Sequence, residues 1–217
     1  MKSIVTLFYG MLLLLVTGCA SSSITVVDKK DPTLPYKKVL VVYVDEGCDF
    51  DLFDSTTYNI CLKSCFLKTD NAELRGRVET LVMEDLSTAG TAVFRSSDML
   101  DNTTNSYDDF RKLVDNRGID ALLFVDFHMY SHTQHQQPPS PGHYINGQYY
   151  AGSNGFSYKT LNAAYECYFF NIKSIYFPIW KAQIGIKGKM GAGKNGMSRS
   201  MAHLLANNLK ANGYIAH

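Results

Sequence analysis

Residues 39–44 constrain the fold of this chain more than any other stretch. They read Val-Leu-Val-Val-Tyr-Val, a near-continuous β-branched run between Lys38 and Asp45. Such a run is typical of a strand that is covered on both faces. Sheets covered on both faces are built from alternating strands and helices, so helical patterns are expected further along the chain.

The first helical pattern follows a long polar segment, residues 46–71, which we interpret as a loop. Apolar residues then recur at intervals of three and four, which predicts a helix with one apolar face. Asp70 and Glu73 resemble a capping box, and Gly90 suits the position after the end of the helix. The predicted apolar stripe is Leu74, Val78, Leu81, Val82, Leu86 and Ala89.

Two further strands and a second helix follow. Residues 91–95 predict a short strand, Ser106 is a candidate cap for a helix that ends at Gly118, and residues 119–131 predict a strong strand. An alternation of strand and helix favours parallel pairing through crossover connections.

The last third of the chain predicts a β-hairpin and a closing helix. Residues 161–170 alternate between two faces, and a turn leads into a strand at residues 180–187. Trp180, Ala182, Ile184 and Ile186 are expected on its buried face, opposite Lys181, Gln183 and Lys187. The closing helix ends at Gly213, and its predicted stripe is Met197, Met201, Leu204, Leu205 and Leu209.

These patterns together predict an α/β fold with α+β character. The predicted order is β-α-β-α-β, then a β-hairpin and a C-terminal helix, around a mixed sheet of about five strands. We assign residues 36–217 to a single domain with a tyrosine-rich insertion at residues 131–160.

The N-terminal segment has the layout of an export signal. A basic residue precedes an apolar run that is too short to span a bilayer. Residues 16–19, Val-Thr-Gly-Cys, resemble the lipobox of bacterial lipoproteins, which implies removal of residues 1–18 and lipidation of Cys19. Ala20, in place of an aspartate, implies the outer membrane, with the domain facing the periplasm. Residues 19–35 are then the lipidated cysteine and a linker, and the membrane is the first expected partner.

The charge balance and the cysteines indicate which other partners and cross-links to expect. The chain has 21 Lys and Arg against 20 Asp and Glu, a balance that gives no reason to expect a nucleic-acid partner. Cys48, Cys61 and Cys65 are candidates for a disulfide in an oxidising compartment, with the pairing open, and a zinc site is the alternative. Cys167, in a strand pattern, is expected to be a buried small hydrophobe.

A resemblance to envelope proteins rests on four stretches. They are residues 38–44, residues 118–124 (Gly-Ile-Asp-Ala-Leu-Leu-Phe), residues 168–173 (Tyr-Phe-Phe-Asn-Ile-Lys) and residues 180–182 (Trp-Lys-Ala). Their order is similar to the α/β domain of the Tol-system propeller protein and of the curli secretion lipoprotein. The resemblance implies an assembly or scaffold role and transfers no catalytic residue.

Two further stretches contain residue types that could bind a nucleotide or a metal ion. Residues 188–195 fall close to a phosphate-cradling loop, but Asn195 stands where a magnesium-binding hydroxyl belongs, so we favour a glycine-rich connection and expect no nucleotide. His128 and His132 are predicted to share one face of a strand with Asp126, a set that suits a metal ion or hydrolytic chemistry. A solvated strand face explains the same residues, and we expect no cofactor.

The insertion at residues 131–160 combines prolines with tyrosines and small polar residues. Connections of this length are usually functional or disordered, and tyrosine offers contact area at low entropic cost. The predicted partner-binding residues are Tyr144, Tyr149, Tyr150, Phe156 and Tyr158. We therefore predict a non-enzymatic scaffold or accessory subunit that binds envelope proteins, and the alternative is a metal-binding or hydrolytic envelope protein centred on Asp126, His128 and His132.

Overall fold

The computed structural model describes most of the chain. It covers residues 21–32, 35–45, 47–63, 72–87, 90–100, 106–174, 177–188 and 194–216. Several predictions concern residues outside the described ranges: the signal at residues 1–18, Cys19, Cys65, Asp70, Ala89 and residues 189–193.

A mixed sheet of six strands forms the centre of the fold, in the order β1-β8-β7-β4-β2-β3, and β5 and β6 form a separate two-stranded sheet. The strands are β1 (Ser22–Lys29), β2 (Lys38–Val44), β3 (Ala92–Arg95), β4 (Ala121–Gln137), β5 (His143–Ile145), β6 (Gln148–Tyr150), β7 (Phe156–Asn171) and β8 (Trp180–Lys187). The predicted mixed α/β class is confirmed, with six strands in the main sheet rather than about five.

Five α-helices are present in the described ranges: α1 (Ser55–Thr57), α2 (Ala72–Leu86), α3 (Ser96–Met99), α4 (Tyr107–Asn116) and α5 (Lys194–Ala211). A π-helical turn (Tyr58–Lys63) follows α1 directly, and a 3-10 turn (Ile172–Ser174) follows β7. None of the described helices is both long enough and apolar enough to cross a membrane.

The two halves of the sheet differ in strand direction. β2 pairs in parallel with both β3 and β4, because α2 and α4 carry the chain back between these strands. β4, β7, β8 and β1 pair antiparallel. The predicted parallel half and the predicted hairpin are therefore both present. Ser106 caps α4 as predicted, since its Oγ accepts a hydrogen bond from the backbone N–H of Asp109 at 3.1 Å.

The sixth strand corrects the prediction of a linker over residues 19–35. Ser22–Lys29 forms β1, which pairs with β8 along the edge of the sheet. Ile24 and Val26 pack against the core, and a bulge between Val26 and Asp28 leaves Val27 exposed. Hydrophobic burial by two β-branched residues outweighs the polar composition that suggested a linker.

One face of the sheet packs against α2 and α5. Trp180, Ile184 and Ile186 are buried there with Leu205 and Leu209, as the alternation in the sequence predicted. Cys167 is a buried free cysteine in the same core, also as predicted.

The other face is covered by α4 and by the segment between β2 and α2, which the sequence indicated only as a polar loop. This segment places four large apolar side chains in the core, and we call it the aromatic cover (residues 47–63). Phe50 stacks on Phe124 at 4.5 Å between ring centroids, with the two planes 3° apart. A disulfide joins Cys48 to Cys61 across the cover. The buried side chains are Phe50, Phe53, Tyr58 and Leu62.

The insertion at residues 131–160 is also more ordered than a loop. β4 and β7 stay paired from Ala121 and Asn171 out to Gln137 and Phe156, well beyond the rest of the sheet. The outer part, residues 132–161, is a two-stranded ribbon that we call the arm. β5 and β6 form a small hairpin at its tip, residues 138–156.

Candidate functional site

A β-bulge at His128 decides which polar side chains of β4 meet. The register between β4 and β7 shifts between Phe127 and Met129, so His128 is the additional residue on β4. A bulge of this kind redirects side chains and reverses the alternation beyond it. Phe127 and Tyr130 consequently face the same core, although they stand three residues apart.

The bulge makes one sequence prediction wrong. Directly paired residues of an antiparallel sheet lie on the same face, and Asp126 pairs with Glu166 whereas His132 pairs with Leu161. Glu166 and Leu161 are five residues apart on a regular strand, so they lie on opposite faces. His132 therefore cannot join Asp126 and His128 in one site, and Glu166 takes its place.

Asp126, His128 and Glu166 form the polar cluster that we take as the candidate site. His128 Nε2 lies 3.3 Å from Asp126 Oδ2 and 3.5 Å from Glu166 Oε2. The imidazole is about one-third exposed, whereas the Asp126 side chain is 0% exposed. A partly exposed imidazole between two carboxyl groups is an arrangement found in sites that transfer protons.

Asp126 is held in an unusual environment for a carboxylate. By strict geometry neither of its oxygens accepts a hydrogen bond from the described residues, although the backbone amides of Gly47 and Cys48 lie close enough to act on the carboxyl group. Burial, supported by the charge of Glu166 and opposed by the backbone amides of Gly47 and Cys48, raises the pKa of Asp126 to about 8. The carboxyl group is therefore mainly protonated at neutral pH.

Glu166 is held in the opposite state. Burial alone would raise its pKa, but hydrogen bonds from Tyr168 (2.6 Å) and Gln183 (2.8 Å) and the charge of Lys181 outweigh burial and lower the pKa. For Lys181 the effects have the opposite sign. Burial acts to lower the pKa of its ammonium group, but the 2.7 Å ion pair with Asp51 outweighs burial, and the pKa is raised. Two carboxyl groups whose pKa values diverge, joined by a histidine, are a recurring arrangement in acid–base sites.

A shallow pocket of about 370 Å³ opens beside this cluster on the face of the sheet that bears Glu166. Polar groups from β1 and β8 complete it, chiefly Ser23, Thr25 and Gln183, and Met129 and Ala164 supply apolar surface. A pocket of this size with few polar groups can hold a small ligand.

The other candidate histidines have local roles. His135 stacks on Tyr158 at 4.7 Å and lies 3.0 Å from Thr160 Oγ1, and His143 stacks on Tyr150 at 5.8 Å. In the part of the chain that the structure describes, no group of three or more His, Cys, Asp and Glu residues is arranged to hold a metal ion.

Two residues of the neighbourhood were missed from the sequence. Lys181 was assigned only to the polar face of β8, and Asp51 lies in the aromatic cover, 130 residues away in sequence. Glu166 lies in the alternating stretch at residues 161–170, and the register pairs it with Asp126. The alternation along β7 and β8 contained the signal for Lys181, whereas nothing in the sequence located Asp51.

The predicted partner-binding residues lie on and beside the tip of the arm. Tyr144, Tyr149, Tyr150 and Phe156 are exposed, with Tyr144 at 73%, and Tyr158 is partly covered by the stacked His135. Ile145, 49% exposed, adds to this surface. Exposed apolar side chains that are grouped in this way mark interaction sites.

The described ends of the glycine-rich stretch at residues 188–195 have structural contacts. Lys194 Nζ lies 4.9 Å from the centre of the Tyr130 ring, and Asn195 Oδ1 accepts a hydrogen bond from Arg77. Both residues begin α5 and tie it to the sheet and to α2.

Comparison with known proteins gives similarities of shape only. No family model matches the sequence, and no curated protein matches it. The PelC dodecamer from Paraburkholderia phytofirmans is 9% identical, with 89% of this chain and 98% of that chain covered at a TM-score of 0.46. Lipoprotein GNA1162 from Neisseria meningitidis is 14% identical, with 81% and 99% covered at a TM-score of 0.41. No residue role passes from either protein to this chain, and the resemblance to the Tol-system and curli proteins stays a prediction.

Proposed function

We propose that this chain is a lipid-anchored protein of the bacterial cell envelope that acts as a non-enzymatic scaffold or accessory subunit. Its anchor is the lipid on Cys19, its location is the outer membrane with the domain facing the periplasm, and its contact surface is the tip of the arm. The observation that carries the proposal is the group of exposed aromatic side chains on a rigidly paired ribbon that projects from the sheet.

The contact surface has the properties expected of a binding site. Tyr144 and Tyr149 lie with their ring centroids 5.0 Å apart, and Phe156 stacks on Tyr158 at 5.9 Å, so the exposed rings support one another. Aromatic anchors commonly dominate the energy of binding, because they bury a large area at low entropic cost. The two strands of the arm fix where these rings stand relative to the sheet.

The anchor is supported by residues 16–19 and by the position of β1. The strand starts at Ser22, only three residues after Cys19, so the lipid and the folded domain are closely joined. Two or more acyl chains on one cysteine give an attachment that is stable over the life of the protein.

Site-specific photo-crosslinking in cells tests the contact surface. A photoreactive amino acid at Tyr149 is expected to give a covalent adduct with a component of the envelope. Phe177 is the matched control, because it is 59% exposed against 57% for Tyr149 and precedes β8 at the other end of the sheet. Equal adducts at both positions, or none at position 149, would contradict the proposal.

The polar cluster favours a second candidate function, a hydrolytic or proton-transfer site. The supporting observation is the placement of the partly exposed His128 between Asp126, whose pKa is raised, and Glu166, whose pKa is lowered, beside an open pocket. Hydrolysis of a panel of model esters by the wild type and by His128→Gln tests it. A rate above background that is lost in the variant would support this second function, and equal rates would remove it.

A further inference from the structure

We propose that the tip of the arm contacts the lipid bilayer in which Cys19 is anchored. The inference rests on the proposed lipidation, and it adds which end of the domain faces the membrane and which side chains meet lipid. It identifies the bilayer as the component that the contact surface binds.

The pairing of the strands places the anchor and the arm at the same end of the sheet. Ser22 and Ala163 both pair with Ile186, and Ala163 also pairs with Tyr130, so these four residues form one row across the sheet. β1 and β7 are both antiparallel to β8 and therefore run in the same direction. Ser22, the first residue of β1, therefore lies at the end of the sheet from which the arm projects.

The register also shows that the arm reaches further than the anchor. From Ala163 in this row to Phe156 at the tip, β7 continues for seven residues, about 23 Å at the rise of a β-strand. The three residues from Ser22 back to Cys19 can span at most about 10 Å when fully extended. A straight arm therefore extends beyond the lipid attachment, and the interfacial layer of a bilayer leaflet is only about 5–8 Å thick.

The composition of the arm suits a lipid surface. Residues 127–165 contain no Asp or Glu, and Lys159 is their only Lys or Arg. The arm can therefore approach an anionic leaflet, because it carries no carboxylate that would lose its hydration or be repelled by the lipid headgroups. Tyrosine is enriched at membrane interfaces, where its ring is apolar and its hydroxyl stays hydrated. The other end of the sheet is charged, with Lys29, Lys37 and Lys173 exposed.

Depth-dependent quenching of tryptophan fluorescence tests the inference on the full lipidated protein in nanodiscs of phosphatidylethanolamine and phosphatidylglycerol. Tyr149→Trp places a fluorophore at the tip, and Phe177→Trp is the control at the opposite end. Trp180 is fully buried and is common to both variants and to the wild type, so it supplies the baseline. Lipids that carry a spin label in the acyl chain quench only fluorophores that reach the bilayer.

We expect the additional emission of Tyr149→Trp to be largely lost with spin-labelled lipid and that of Phe177→Trp to be retained. Retention of both signals in a nanodisc-bound, acylated protein would overturn the inference and leave the proposed function standing, with a protein as the partner of the arm. Failure to recover acylated protein from membranes would instead overturn the proposed function. The mass of the N-terminal peptide separates these two failures.

Discussion

Asp126 is an acidic residue whose side chain is held out of contact with water. Its carboxyl group is fully buried, and burial raises its pKa to about 8. In the unfolded chain an aspartate has a pKa of about 3.9, so between about pH 4 and pH 8 the folded state binds a proton that the unfolded state has lost. The contribution of Asp126 to the free energy of unfolding therefore falls as pH rises through this range.

Asp126→Asn should raise stability at pH 7 to 9 and flatten its dependence on pH, because the amide keeps the shape of the carboxyl group and does not ionise. Urea unfolding at a series of pH values from 4 to 9 measures both effects. Glu166→Gln is the contrast: the pKa of Glu166 is lowered, so its loss should cost stability above the unfolded pKa. A variant of Asp126 that is less stable at pH 8 than the wild type would show that the buried carboxylate is ionised and satisfied.

Ile184 and Lys187 test which face of β8 is buried. Ile184 is 1% exposed in the core beneath α5, whereas Lys187 is exposed at the end of the strand. Ile184→Ala should lower the free energy of unfolding by about 2–5 kcal/mol through lost burial and a cavity. Lys187→Ala should change it by less than about 0.5 kcal/mol. Equal losses in chemical denaturation would mean that the face is wrongly assigned.

At the scale of elements, the disulfide within the aromatic cover has a measurable role. Cys48 and Cys61 are 13 residues apart, and a cross-link over a loop of that size stabilises by about 3 kcal/mol in the chain-entropy model. Cys48→Ser with Cys61→Ser should lower the denaturation midpoint by a corresponding amount, because the cover then orders from a freer chain. A double variant with the midpoint of the oxidised wild type would show that the cover is held by Phe50 and Phe53 alone.

Removal of the tip of the arm should leave the rest of the fold intact. Replacing residues 138–155 by Asn-Gly joins Gln137 to Phe156, which already pair, through a turn that suits a two-residue hairpin. The melting temperature should stay close to that of the wild type, because β5 and β6 are exposed along their whole length. A fall comparable to that of Ile184→Ala would place the tip in the core and would remove the argument that it is a contact surface.

The elements that were predicted from sequence are those with a clear period. Apolar residues repeat over several turns from Leu74 to Leu86 and over several positions from Trp180 to Ile186. In each element the apolar residues form a single face, and that face is the one buried in the core. β1 was missed because only Ile24 and Val26 face the core among Ser, Thr and Asp. The site was predicted only in part: the strand pattern placed Asp126 and His128 together, but the bulge at His128 moves His132 to the opposite face, and Glu166 comes from a different strand.

At the scale of the whole molecule, the polar cluster lies within the sheet, whereas the arm extends beyond the end of the sheet that carries Ser22. Asp126 lies within the six-stranded sheet, four residues before Tyr130, which shares a row with Ser22. The arm continues from that row toward the side of the anchor. Under the proposed lipidation of Cys19, the end of the sheet that carries Ser22 and the arm faces the membrane, and the other end faces the periplasm.

Attachment of this domain to a membrane through Cys19 can be tested by the intact mass of the protein purified from cells. We expect a membrane-fraction species that begins at Cys19 and carries the added mass of three acyl chains, two of them on a glyceryl thioether. Cys19→Ser should abolish that species and leave residues 1–18 attached. An unmodified chain recovered from the aqueous fraction, or a membrane species that begins at any other residue, would contradict the claim.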